Sequence, residues 1–381
     1  MNDPRVEKKK LIRYFNRYLD IIPTVHQSSD VYKPGLIYYS LSGLSILYDN
    51  DGDYKNFVQE FKKNGSSTTI KSLFKIFDNK NDQNAIAGFI PTLTVLDTKP
   101  SNLNLSATFF SLLSLCILQE IDFLKDSDKY KIKNFVSKCQ DLENTGGFVS
   151  YLDILGNPNN RLSGSQVDSI DLRFCYIAVS ILYICGCKTI LDYKKWIDTD
   201  KLLNFIFMDC YCKNTGGFGN GVEPHAGYTS CALGTLKLLG VKLPTTEMKN
   251  DTLSWLVHRQ LTILANDSEL KTDSEWYDSI DCGGFQGREN KFADTCYCFW
   301  CLNSLELLGD EMEKGSFMSL VDLKAVESYL LDVTQNKLLG GFAKNNANDP
   351  DLYHSFLGLA ALALISGKFD SVLCVPKVCL K

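Results

Sequence analysis

The chain has 381 residues, a hydrophobic content of 45%, a charged content of 22% and a formal net charge of −5. That composition excludes an intrinsically disordered chain, and the negative balance argues against bulk nucleic-acid binding. The length suits either two domains or one large repeat array. Nothing along it reads as an interdomain linker, so one domain over residues 1–381 is expected.

In chain order, residues 1–10 are charged and residues 11–22 mix Arg and Asn into an amphipathic helix, unlike the apolar core of a signal peptide. Residues 38–49 and 101–119 read as further helices. Residues 49–84, rich in Lys, Asn and Asp, read as surface turns or short outer helices. Gly88-Phe89 looks like a reduced first copy of a motif that is complete downstream: Gly146-Gly147-Phe148, Gly216-Gly217-Phe218, Gly283-Gly284-Phe285 and Gly340-Gly341-Phe342. Repetition every 57 to 70 residues announces a helical repeat.

Two kinds of helix alternate around those copies. Residues 131–140, 199–210, 250–261 and 323–335 carry one apolar stripe, whereas residues 171–183, 228–239, 295–308 and 354–365 are apolar almost all round. A striped helix keeps a face in water, and an all-apolar helix must be covered on every side. Alternating them around a closed path gives an all-α fold, an α/α barrel or toroid with the apolar helices inside. The glycine pair suits the reversal from outer to inner helix. Inner helices that run the same way gather their positive, donor-rich N-termini at one mouth, which suits an anion. Residues 265–281 form a polar, acidic insertion expected to be a loop. The longest apolar stretch, residues 174–187, is too short to span a bilayer. Most of the fourteen cysteines lie in apolar helical runs, which points to reduced thiols and a cytoplasmic protein. Cys379 is third from the end, so the terminus is not itself a prenylation signal.

The polar residues concentrate where the inner helices begin. Asp294, Cys296 and His354 offer a carboxylate, a thiolate and an imidazole, three zinc ligands that leave a fourth position open. Residues i and i+2 point apart inside a helix, so Asp294 and Cys296 share a metal only at a helix terminus. In a chain with this many cysteines, an Asp near a Cys also arises without any metal. A second group, His225, Arg288, Lys291 and Tyr297, supplies donors for a diphosphate at the same mouth. The plainer alternative makes Arg288 and Lys291 solvated loop charges.

The run from Gly283 through Gly-Phe-Gln-Gly-Arg-Glu-Asn-Lys-Phe-Ala-Asp-Thr-Cys-Tyr-Cys-Phe-Trp resembles the zinc-site signature of protein prenyltransferase β subunits. Tyr353-His354 and Glu223-Pro-His225-Ala-Gly-Tyr-Thr-Ser-Cys231 resemble that family's other active-site segments, and the likeness runs from Gly146 to Gly367. Asp171-Leu-Arg-Phe-Cys-Tyr and Ser40-Leu-Ser-Gly-Leu44 are most similar to the type I geranylgeranyl-transferring members.

The resemblance implies zinc on Asp294, Cys296 and His354. It implies an isoprenoid diphosphate on His225, Arg288, Lys291 and Tyr297, with Arg173 helping to position substrate. Gly35 falls where farnesyl-transferring members carry a tunnel-shortening tryptophan, leaving room for a fourth isoprene unit. Lys344 falls where those members carry a magnesium-binding aspartate, so Mg2+ is not strictly required. A helical α subunit as heterodimeric partner, geranylgeranyl diphosphate as donor and Rho-type small GTPases ending in Cys-a-a-Leu as acceptors follow from the same resemblance. No nucleic acid and no transmembrane segment enter this reading. The competing readings are a farnesyl-transferring β subunit, a terpenoid cyclase on the same barrel, for which the sequence lacks an Asp-rich cluster, and a non-catalytic helical scaffold.

Overall fold

Among the described residues, six helices buried on nearly every side stand side by side in a ring, and the other helices lie outside it. The computed structural model describes residues 3–380 except 21, 23, 49, 64–65, 78–84, 95–98, 154–162, 165–168, 222, 263–278 and 310–316. In chain order the first helices are α1 (Lys8–Asp20), α2 (Lys33–Leu47), α3 (Asp51–Lys63), α4 (Ser66–Ser72), α5 (Leu105–Ile117) and α6 (Asp126–Lys138). Then follow α7 (Leu172–Ile184), α8 (Ile190–Tyr193), α9 (Thr199–Asn204), α10 (Ala226–Leu239) and α11 (Thr246–Val257). The last are α12 (Thr295–Leu308), α13 (Leu323–Ser328) and α14 (Leu352–Ile365).

The inner ring runs α2, α5, α7, α10, α12 and α14, each packed on the next, with α14 packed back on α2. Helix α14 buries every residue from Ser355 to Leu364. The outer α6, by contrast, buries only Ile132, Phe135 and Val136. The all-round and striped patterns thus sort into layers as hydrophobic burial requires. Outer helices α9 and α13 are short and widen into π-helical turns over Phe205–Cys210 and Tyr329–Thr334, which completes the striped segments expected there.

Each Gly-Gly-Phe turn links its own outer and inner helix and also rests on the next outer helix around the ring. The first glycines have φ of +83°, +96°, +90° and +82°. A Cβ on Gly216 would stand 2.3 Å from the Asp251 carbonyl oxygen of α11, and one on Gly283 would stand 2.3 Å from that of Ala325 in α13. Left-handed backbone and close approach both exclude a side chain. Gly146 approaches Lys201 of α9 in the same manner, and Gly340 approaches Lys10 of α1. Helix α1 is therefore the outer helix against which the last repeat closes.

A glutamine reinforces three of these junctions. The Gln140 amide exchanges hydrogen bonds with the backbone of Asp198, and Gln260 does so with Asp322. At the closure the Gln335 Nε2 donates to the Arg5 carbonyl and its Oε1 accepts from the Glu7 N–H.

Gly88-Phe89 is a copy of the motif. The Phe89 N–H donates to Thr108 Oγ1 at 3.0 Å, as Phe218 does to Thr229 at 3.0 Å and Phe342 to Ser355 at 2.9 Å. The 49–84 stretch holds α3 and α4 as expected, and also β1 (Phe74–Phe77), paired antiparallel with β2 (Ile86–Phe89), which the polar composition did not suggest. Three further two-stranded ribbons follow: β3 (Leu152–Asp153) with β4 (Ser163–Gly164), β5 (Phe342–Ala343) with β6 (Pro350–Asp351), and β7 (Phe369–Asp370) with β8 (Val375–Pro376). The loop expected over residues 265–281 lies outside the described residues as far as 278. Its last residue, Asp281, is buried and accepts from the Ala293 N–H. Among the described residues no helix is long and apolar enough to cross a membrane.

Candidate active site at the mouth of the inner ring

Five inner helices open on a polar cap. Asn104, Asp171, His225, Asp294 and Asp351 have extended backbone, and each side chain accepts a first-turn N–H, from Ala107, Arg173, Gly227, Cys296 and His354 respectively. Each cap lies four residues before the polar residue or cysteine that faces the motif phenylalanine. One repeat therefore places all five.

The caps correct one expectation. The N-terminal N–H groups gather at one mouth, but several of them already have acceptors within the protein. Besides the caps, loop carbonyls of Ser150, Gly287 and Lys344 accept from the N–H groups of Leu105, Ala226 and Thr295. Three of the caps are themselves carboxylates. That lessens what the helix starts can offer an anion and gives the side chains at the mouth more weight.

Asp294, Cys296 and His354 are brought together as the spacing argument required. Their ligand atoms all lie within 4.8 Å of one another. Asp294 is the extended cap rather than a helical residue, which lets its carboxylate and the Cys296 thiol face the same space. His354 Nε2 lies 3.3 Å from Asp294 Oδ1, and its Nδ1 lies 2.5 Å from Asp351 Oδ2. Asp351 therefore fixes the imidazole while its other oxygen caps α14. Such an outer carboxylate on a ligating histidine is the usual support of a metal site. The role of Asp351 was not anticipated from sequence; its position three residues before His354 was the available signal.

Charge in this cluster favours a cation. Burial lowers the His354 pKa, but hydrogen bonds to Asp294 and Asp351 outweigh it and lift the value to about 9. Burial and the Asp294 charge push the Cys296 thiol well above its ordinary value. In the absence of metal the donors thus hold a proton on both nitrogen and sulfur, and a divalent cation would replace both protons. A carboxylate, a thiol and an oriented imidazole, all at least mostly buried, fit a metal with an open fourth position.

The second group lies on the other side of the same helix start. Tyr297 follows Cys296 on α12, and its hydroxyl is 3.0 Å from His225 Nε2. The Gly227 N–H donates to His225 Nδ1 at 3.1 Å. Burial first, and then the charges of Arg288 and Arg173, hold the His225 pKa below its ordinary value. The neutral ring therefore carries its proton on Nε2 and donates it to Tyr297, leaving the tyrosine O–H to donate to a ligand. Gly287 makes this possible, since a Cβ there would come within 2.1 Å of the Tyr297 ring.

Arg288 is exposed and its Nη1 pairs with Glu223 Oε2 at 2.9 Å, a partner not anticipated from sequence. Lys291 is exposed in the same loop. Arg173 pairs with Asp171 and lies over the rings of Phe174 and Tyr228 at 5.8 and 5.6 Å. Lys344 Nζ lies 3.9 Å from Asp294 Oδ2, at the rim of the metal cluster. Gly35 lines a cavity of about 590 Å³ walled by Tyr39, Phe110 and Phe174. A Cβ on Gly35 would meet Phe110 at an ordinary 3.5 Å, so larger side chains there would extend into the cavity. The aromatic wall was not resolved into residues from sequence.

Residues 6–377 match the family described as prenyltransferase alpha-alpha toroid domain. The geranylgeranyl transferase type-1 subunit beta of Arabidopsis thaliana is 28% identical over 97% of this chain and 87% of its own length. The protein farnesyltransferase subunit beta of Schizosaccharomyces pombe is 25% identical over 93% of this chain and 78% of its own. A solved structure described as Candida albicans protein geranylgeranyltransferase-I complexed with GGPP superposes with a TM-score of 0.81 at 33% identity, covering 98% of this chain and 97% of that one. These likenesses bear out the resemblance read from the Gly283 segment. The chain belongs to the prenyltransferase α/α-toroid family and is similar along nearly its whole length to type-1 geranylgeranyl transferase β subunits.

Proposed function

We propose that this chain is the catalytic β subunit of a zinc-dependent protein geranylgeranyltransferase type I. It would act with an α subunit to transfer geranylgeranyl to the cysteine of Cys-a-a-Leu termini such as those of Rho-type GTPases. The observation that carries this reading is the Asp294, Cys296 and His354 cluster on one side of the α12 start, with the His225–Tyr297 pair on the other. A bound zinc would supply the open position at which an acceptor sulfur, ordinarily of pKa ~8.5, is held as thiolate.

The remaining chemistry falls to the chain's own residues. A sulfur–carbon bond forms at C1 of the lipid as the bond from C1 to the diphosphate oxygen breaks, and the diphosphate leaves with the electron pair. Tyr297, its hydroxyl freed for the ligand by His225, donates to the departing oxygen side. Arg288 and Lys291 neutralise the growing charge. Arg288 exchanges Glu223 for the diphosphate. Arg173, fixed by Asp171, positions substrate at the neighbouring helix start. Lys344 contributes positive charge near the same point, which supports turnover with little need of Mg2+. The open wall at Gly35 supports the geranylgeranyl over the farnesyl donor.

The test is transfer by the zinc-loaded chain co-expressed with an α subunit, with and without millimolar magnesium. Geranylgeranyl and farnesyl diphosphates would be compared on Cys-a-a-Leu and Cys-a-a-Ser peptides. Preference for the geranylgeranyl donor and the Leu peptide is expected. Farnesyl preference would move the assignment to the farnesyl branch, and absence of transfer from either donor would leave only a scaffold.

A further inference from the structure

Helix α11 ends beside the loop that carries Arg288 and Lys291, and a buried arginine joins the two. Arg259 is only 6% exposed. Its Nε donates to the Trp255 carbonyl at 3.2 Å, and its guanidinium lies 5.0 Å from the centre of the Trp255 ring. Its carbonyl accepts from the Gln286 N–H at 2.8 Å, and its Nη2 donates to Glu289 Oε1 at 3.4 Å. One residue therefore holds residues 286–289 at both ends. Arg259 Nη1 is buried and has no hydrogen-bond partner among the described residues. A buried guanidinium with an unmade hydrogen bond costs folding free energy, so stability does not explain its place.

Glu289 is the one carboxylate of residues 287–291, and it stands between Arg288 and Lys291, both exposed. Asn290 has φ of +55°, so the chain turns sharply between Glu289 and Lys291. A carboxylate here works against anion binding, because it repels the anion and competes with it for both cations. Arg259, always charged and supplied by another element, gives that carboxylate a different partner. Glu223, which pairs with Arg288 at 2.9 Å, also lies within electrostatic reach of Arg259. The buried cation thus offsets both carboxylates beside the loop.

We infer that Arg259 is a positioning residue for the diphosphate: by holding Glu289, it keeps that carboxylate off Arg288 and Lys291 and leaves both cations to the anion. The inference rests on the lipid-diphosphate reading above. Arg259 acts only through Glu289.

The experiment measures competitive binding to the zinc-loaded complex with an α subunit. The probes are geranylgeranyl diphosphate and geranylgeraniol, which has the same tail and no diphosphate. Glu289→Asp keeps the charge but is one methylene shorter than the 3.4 Å contact to Arg259 allows. Glu289→Gln removes the charge and keeps the reach. The Asp variant should bind the diphosphate about tenfold more weakly than the wild type, and the Gln variant at least as tightly as the wild type. Arg259→Gln should show the loss seen with Glu289→Asp, and adding Glu289→Gln to it should restore binding. Geranylgeraniol should bind every variant as it binds the wild type; a parallel loss would mark a distorted fold and overturn the inference. Equal diphosphate binding by the Asp and Gln variants would overturn it even if Arg259→Gln fails to fold, as would a double variant no better than Arg259→Gln. No binding of the diphosphate by the wild type would overturn both the inference and the reading it rests on.

Discussion

Asp351 shows how much one side chain can settle at a helix start. One oxygen caps α14 and the other holds His354 Nδ1, so the ring is aimed before any ion arrives. Asp351→Asn keeps the cap but weakens that orientation, and should lower zinc affinity by about 10–100-fold in chelator competition while leaving lipid diphosphate binding intact. His225 is a cap of another kind, because an imidazole ordinarily titrates nearer neutral pH than a carboxylate. Its folded-state pKa lies below the ordinary value, so on acidification the unfolded chain takes up this proton first, from about pH 6.5 downward. Stability from this group is therefore present above about pH 6.5 and lost as pH falls below it. His225→Asn caps without titrating, and its melting temperature should fall less than the wild type's between about pH 7 and pH 5. An equal fall would show that the cap does not titrate. At Gly35 the issue is space. Gly35→Trp should fill part of the cavity wall and move donor preference from geranylgeranyl toward farnesyl, read as the ratio of kcat/KM for the two. Five added carbons favour the longer lipid by only a few kcal/mol at ~0.8 per buried CH₂, which a steric stop can reverse.

At the scale of the element, the repeat is a device for placing caps. The outer-to-inner turn works because its first glycine is both left-handed and pressed on the next outer helix. Gly240 separates those two demands, with φ of +71° and nothing within 4 Å of a Cβ. Gly240→Ala should cost about 1 kcal/mol for the backbone alone. Gly216→Ala adds the clash with Asp251 and should cost about 2–4 kcal/mol, read as the difference between the two in chemical denaturation. The layers, the motif and the residues of the candidate metal cluster were legible because burial and helix-start chemistry leave periodic traces in sequence. Glu223 and the aromatic wall of Tyr39, Phe110 and Phe174 were not, since their partners lie on other repeats and no spacing records them. The capped N–H groups escaped for a related reason: a helix start reads as donor-rich until the loop that covers it is seen.

Over the whole molecule, the ring is closed by residues from the two ends of the chain. Gly340 rests on Lys10, Gln335 bonds Arg5 and Glu7, and Arg5 pairs with Asp332. Helix α1 enters the core through Leu11, Phe15 and Tyr18. Gln335→Ala removes two hydrogen bonds at that seam and should destabilise the fold by about 1–3 kcal/mol, with amide exchange in α1 and at residues 336–341 rising more than in α10. Uniform exchange across the ring would show that the seam opens no sooner than the rest.

The same seam imposes a wait. Helix α1 leaves the ribosome well before the glycine turn that covers it, which lies about 330 residues later, or roughly 20–70 s of synthesis at ordinary rates. Throughout that interval α1 packs on α2 but lacks the turn that covers it, and the unclosed arc keeps an open edge at either side. Birth of this protein is therefore most hazardous just before its last repeat emerges, and holdase chaperones should be found on nascent chains of that length.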